Sequence, residues 1–151
     1  MVEDDERLFR SVPKPRPGLE PFTFVDGKLK FGTQSFSSRE FKPSVDRAIL
    51  NGNNPTVTQK TPDAGVVTLL AREVRAIVSV KRTHQNGDVS TFQVDVMPDE
   101  LQATDSEPEN LAHALIVTIP SLDISTKSVF RKLQEALALI ATRNGWTIAP
   151  R

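Results

Sequence analysis

Phe22-Thr23-Phe24-Val25-Asp26-Gly27-Lys28-Leu29-Lys30-Phe31 is the stretch on which the reading of the fold turns. Asp-Gly supplies the positive φ values that a two-residue type I′ turn demands, and alternating residues flank it on both sides. Closing the turn at Asp26-Gly27 sets Phe24 opposite Leu29 and Phe22 opposite Phe31 on one face, with Thr23, Lys28 and Lys30 on the other. Turn chemistry and hydrophobic alternation agree, so an antiparallel hairpin is predicted.

Downstream, Val74, Ala76, Val78 and Val80 alternate with Arg75, Ser79 and Lys81, and Phe92, Val94 and Val96 alternate with Thr91, Gln93 and Asp95. A two-residue turn at Asn86-Gly87 would bury the wrong set. A three-residue loop of Gln85, Asn86 and Gly87, with Gly87 left-handed, sets Val80 opposite Phe92 and Val78 opposite Val94. It also places His84 across from Asp88, which makes His84 an exposed turn residue with an ionic neighbour. Leu111 to Ile119 reads as a further strand, with Leu111, His113, Leu115, Val117 and Ile119 on its bulkier side, predicted to face the core.

Two helices complete the expectation. Thr61-Pro62-Asp63 combines an N-cap residue, proline at the first helical position and an acid at the positive end of the dipole, predicting a helix from Pro62 to about Glu73. Ser125 or Thr126 would cap a last helix in which Val129, Phe130, Leu133, Ala136, Leu137, Ile140 and Ala141 fill one arc. Asn144-Gly145 ends it, and Trp146 and Ile148 pack back on the body. Between the hairpins, Ser44 is read as the cap of a short helical turn through Leu50 that Asn51-Gly52 terminates, with Phe36 and Phe41 pinning the loop. Residues 1–20 read as an extended N-terminal arm, with the proline-spaced segment favouring polyproline geometry. The fold expected is therefore a single α+β domain over residues 21–151, an antiparallel sheet of about five strands built from hairpins and covered by two helices.

At 151 residues the chain can bury roughly two thirds of its unfolded surface without staples. The absence of cysteine excludes disulfides, zinc-thiolate sites, iron–sulfur clusters and a thiol nucleophile, and favours a reducing cytoplasm. The acidic start lacks an export signal, and no stretch approaches the ~20 apolar residues of a membrane span, so a soluble cytoplasmic protein without a membrane partner is expected. Lysines and arginines number 19, as do aspartates and glutamates, which gives no general field for nucleic acid. Charge is nonetheless segregated. Arg7, Arg10, Lys14 and Arg16 form a basic stretch, whereas Asp99 to Glu109 carries five acids and no base. Both are candidate docking patches for a protein partner, as is Leu139, which lies opposite the apolar arc of the last helix.

Nucleotide-binding glycine loops, HExxH, CxxC and Gly-x-Ser-x-Gly are all absent, and neither a metal site nor a cofactor is expected. What remains is Ser44-Val45-Asp46-Arg47 and Ala112-His113-Ala114. If the loop carrying Asp46 and Arg47 folds over the start of the His113 strand, a proton-transfer group, an orienting carboxylate and an anion-binding guanidinium come together. That set would suit a metal-independent ribonuclease or a nucleotide-directed transferase or toxin. A hydrogen-bonded core histidine and a loop-fixing Asp46/Arg47 pair account for the same residues. A sequence-tolerant nucleic-acid surface would use Lys28 and Lys30 with nearby aromatics, although paired phenylalanines are better explained as core.

The Ser-Val-Asp-Arg-Ala run and the Ala-His-Ala piece at the head of a strand resemble small bacterial proteins of unassigned function. The resemblance spans Leu8 to Ile116 in pieces of three to five residues. It implies a bacterial source and a mobile-element or defence neighbourhood, and it brings no activity and no site. The leading expectation is thus a non-catalytic interaction module in a multi-protein system, with the His113, Arg47 and Asp46 enzyme as the alternative.

Overall fold

Arg7–Val12 lies at the heart of the molecule rather than on an arm, and this is the first correction to the sequence reading. In the computed structural model, which describes residues 1–151, this segment is strand β1. It pairs antiparallel with β5 (Gly65–Leu70) from Arg7↔Leu70 to Val12↔Gly65, and on its other side with β4 (Ser44–Arg47). Leu8 and Val12 join the main core, while Phe9 packs on the opposite face with Val66 and Ala48. Adjacent apolar residues are thus buried on opposite faces, so the segment shows no alternation to read. The prolines begin where the sheet pairing stops, and Arg16 and Leu19 close a small turn through reciprocal backbone bonds.

The six-stranded antiparallel sheet has the order β10-β5-β1-β4-β9-β8, with β8 at Gln93–Pro98, β9 at His113–Ile119 and β10 at Trp146–Ile148. Two separate hairpins stand beside it. One is β2 (Phe22–Val25) with β3 (Lys28–Phe31), in the predicted register and with Asp26 and Gly27 at φ 52° and 76°. The other is β6 (Lys81–Thr83) with β7 (Val89–Thr91), closed through the predicted loop by a 2.8 Å bond from the His84 amide to the Asp88 carbonyl.

Three other expectations give way. Thr61-Pro62-Asp63 forms a turn, and the β-branched run Val66-Val67-Thr68 takes the chain into β5, leaving only the short helix α1 (Ala71–Arg75). Val74 therefore belongs to a helix, residues 76–80 form no strand, and Val78 is exposed. The partner of β8 is instead β9, from Gln93↔Ile119 to Pro98↔Ala114. Ser44 begins a strand, and the 3-10 turn Ala48–Asn51 that follows stops at a left-handed Gly52.

The long helix α2 (Lys127–Asn144) buries Val129, Phe130, Leu133, Leu137, Ile140 and Ala141, as its periodicity predicts, and ends at Gly145. Asp123 organises its approach: its carboxylate accepts from the Ser125 amide, and its own amide donates to the Thr126 hydroxyl. Beneath α2 lies a core that includes Val45, Leu69, Val94, Ala114 and Ile116. Phe36 is fully buried, and Phe41 meets Phe130 edge-on at 5.3 Å. In β9 the faces are the reverse of the expectation. Ala112, Ala114, Ile116 and Thr118 are buried, whereas His113, Leu115 and Val117 lie on the second face, half-buried. Residue volume is a poor guide here, because the large side chains of α2 fill the space above the small alanines.

Candidate functional site

Asp46 and His113 are direct cross-strand neighbours in β4 and β9, on the sheet face away from α2. Their side chains reach different partners. Asp46 accepts from Asn110 Nδ2 at 3.0 Å and from the Thr58 hydroxyl at 2.9 Å. His113 Nδ1 lies 3.0 Å from the Asp99 carbonyl and 3.1 Å from its carboxylate. Both of those atoms are acceptors, so Nδ1 carries the proton and donates. The Asp99 amide in turn donates to the His113 carbonyl.

These bonds hold the two ends of the acidic loop. Asp99 is fixed at one end and Asn110 at the other, and Leu101 and Asn110 exchange backbone bonds of 2.9 and 2.8 Å between them. The side chain of Asn110 also accepts from the Ala112 amide. Asp46 and His113 thus form the foundation of the acidic loop.

Arg47 is adjacent to Asp46 in an extended strand, so it projects to the opposite face. There it meets Glu6 in a two-point ion pair, Nε to Oε1 at 2.8 Å and Nη2 to Oε2 at 2.9 Å, and Nη2 also donates to the Met1 carbonyl. Hydrogen bonding from Arg47 holds the Glu6 carboxyl below its ordinary range against the opposing effect of burial. Of the three residues whose convergence the enzyme reading requires, Asp46 and His113 are therefore neighbours and Arg47 is not. The guanidinium required for an anionic transition state is neutralised on the far side of the sheet from the imidazole. No group of three or more His, Asp or Glu side chains is placed to share a metal ion.

Of the expected basic patch, Arg10 is withdrawn. Its guanidinium lies over Phe36 and donates to the carbonyls of Ser35, Ser44 and Ser37 at 2.7, 2.7 and 3.0 Å. Burial pushes it down to about 10, so it remains a cation at neutral pH and serves as a brace between loops. Lys14 and Arg16 are exposed, as are Lys28 and Lys30 on the outer face of their hairpin.

Leu139 is 60% exposed on α2, as its position opposite the arc predicts. It borders a groove of about 460 Å³ between α2 and the segment after α1, where Ala76, Ile77, Ala136 and Ile140 supply the apolar lining and Arg72 and Arg143 the cations. An alternating strand through Val74, Ala76, Val78 and Val80 would leave no such groove. A short α1 turns this segment toward α2 instead. Comparison of the chain with protein-family models, curated proteins and solved structures gives no match.

Proposed function

We propose that this chain is a non-catalytic interaction module, and that the groove beside Leu139 is where its protein partner docks. The observation that carries the reading is a large apolar side chain left uncovered next to a concave apolar surface that holds unpaired cations. Arg72 and Arg143 form no ion pair, whereas the one acid of the groove, Glu73, is engaged by the Leu70 amide and by Asn144. Charge complementarity then selects the occupant: a protein segment that inserts an apolar side chain beside Leu139 and carries acids at its flanks. By the resemblance of its Ser-Val-Asp-Arg and Ala-His-Ala pieces, the module belongs to a multi-protein bacterial system, of mobile-element or defence type, in the cytoplasm. No helix is long and apolar enough to cross a membrane, and the chain has no cysteine.

A photo-crosslinking amino acid placed at position 139 in cells tests this reading, with position 124 as control, since Ile124 is also exposed but lies outside the groove. The expected result is one discrete adduct at 139 that disappears when Arg72→Glu and Arg143→Glu are combined. No adduct at 139, or the same adducts at both positions, removes the proposal.

A further inference from the structure

The β2–β3 hairpin is separate from the main sheet, and its apolar face is uncovered step by step. Phe31 is 2% exposed, Phe22 and Leu29 are half-buried, and Phe24 at the far end is 63% exposed. Trp146 on β10 meets both Phe22 and Phe31 edge-on, at 4.9 and 4.7 Å between ring centroids. Beyond these rings lies a cavity of about 450 Å³, lined by Phe22, Phe24, Leu29 and Trp146 together with Lys14 and Arg151. Its size falls within the range of small-molecule sites, about 300–1,000 Å³.

The charge of the lining decides what such a cavity can hold. Lys14 and Arg151 are its only ionisable side chains, both are cations, and neither is ion-paired. Asp63 is not in the lining but borders it: the Lys14 charge contributes to its lowered pKa, after the hydrogen bond from the Thr61 hydroxyl, and its backbone carbonyl accepts from the Arg151 amide at 3.1 Å. A ligand cation would meet two cationic side chains and no acid in the lining. A neutral polar ligand would lose its bonds to water with few partners in return. An aromatic ring gains edge and face contacts with three aromatic side chains, and an anion on that ring finds two cationic side chains in the lining.

We infer that the cavity under the β2–β3 hairpin is a binding site for a small aromatic carboxylate. The site is separate from the Leu139 groove and does not depend on its role.

The chain has one tryptophan, so a single indole N–H signal in a proton–nitrogen spectrum reports on this cavity. Naphthalene-2-carboxylate is titrated against naphthalen-2-ylmethylammonium, which keeps the ring and reverses the charge, with a short oligothymidylate as a third probe. The carboxylate is expected to shift the Trp146 indole and the Phe24 and Leu29 amides saturably, and to bind at least about tenfold more tightly than the ammonium. Lys14→Glu and Phe24→Ser, both at exposed positions, are each expected to weaken it by about tenfold while leaving distant amide signals in place. No saturation up to about 5 mM carboxylate, or equal binding of both charge types, overturns the inference. Tighter binding of the oligothymidylate at the same signals also overturns it, transferring the site to single-stranded nucleic acid.

Discussion

Arg47 and Glu6 form a two-point ion pair that ties the first residues of the chain to the end of β4, with side-chain exposures of only 14% and 7%. Removing one partner leaves a largely buried charge without compensation, which costs far more than the pair itself contributes. Glu6→Ala is therefore expected to lower the unfolding free energy by about 3 kcal/mol. The double variant Glu6→Leu with Arg47→Met should lose clearly less than the sum of the two single changes. Urea denaturation of the parent, Glu6→Ala, the two single changes and the double variant measures both values, and an additive result in the cycle would mean that the pair is not coupled.

The same carboxyl gives a pH dependence of known sign. Glu6 is held below its ordinary 4.5, first by the hydrogen bond from Arg47, so the folded protein binds this proton more weakly than the unfolded chain does. The stabilisation is complete above 4.5 and is lost as pH falls through the lowered folded value. Glu6→Gln should flatten the stability profile in that acidic window and leave the slope near neutrality unchanged. Denaturant midpoints collected across the window test this, and parallel profiles for parent and variant would refute it.

His113 and Asp99 make a local prediction rather than a global one. His113→Ala removes the Nδ1 donor to the Asp99 carbonyl and carboxylate, so the acidic loop loses one anchor while Asn110 and Asp46 retain the other. Hydrogen exchange of the Leu101 and Asn110 amides should accelerate by about tenfold, the equivalent of one such bond. Amides between β1 and β5 should keep their protection. A uniform acceleration would instead make His113 a core support of the whole sheet, and no acceleration would show that the loop is held without it.

How much of this was legible follows from the distance over which each feature is specified. The β2–β3 register and the loop of residues 85–87 are set by residues within a single turn, and α2 by a periodic arc with Gly145 at its end. In contrast, β1 is defined by pairing with residues about 40 and 60 positions away, and its side chains are buried on both faces. The signal at Thr61-Pro62-Asp63 consists of residues that serve a turn as well as a helix start, and the β-branched run beyond it decided the outcome. For the candidate site, one element assignment carried the error. Once Ser44–Arg47 is a strand, Asp46 and Arg47 must lie on opposite faces, so their meeting at one centre is excluded by geometry. The pairing of Arg47 with Glu6 left no local signal, because a lone glutamate in an acidic run looks like any solvated charge.

Trp146 packs so closely over Gly65 that a Cβ at position 65 would lie inside the contact distance of the indole ring. Gly65 does not have a positive φ, so the backbone would tolerate any residue and the restriction is purely steric. Both partners in this contact are fixed, since Gly65 pairs with Val12 at the end of the β1–β5 ladder and Trp146 is held by Phe22 and Phe31. Gly65→Ala is therefore expected to destabilise by about 1–3 kcal/mol, the usual cost of overpacking. In a Trp146→Leu background, where the smaller side chain leaves room for the methyl group, the same change should cost much less. A thermodynamic cycle from denaturation of the four proteins tests the coupling. Equal costs in the two backgrounds would place the constraint in the strand itself, because a backbone restriction persists whatever lies above it, whereas a steric one vanishes with the ring.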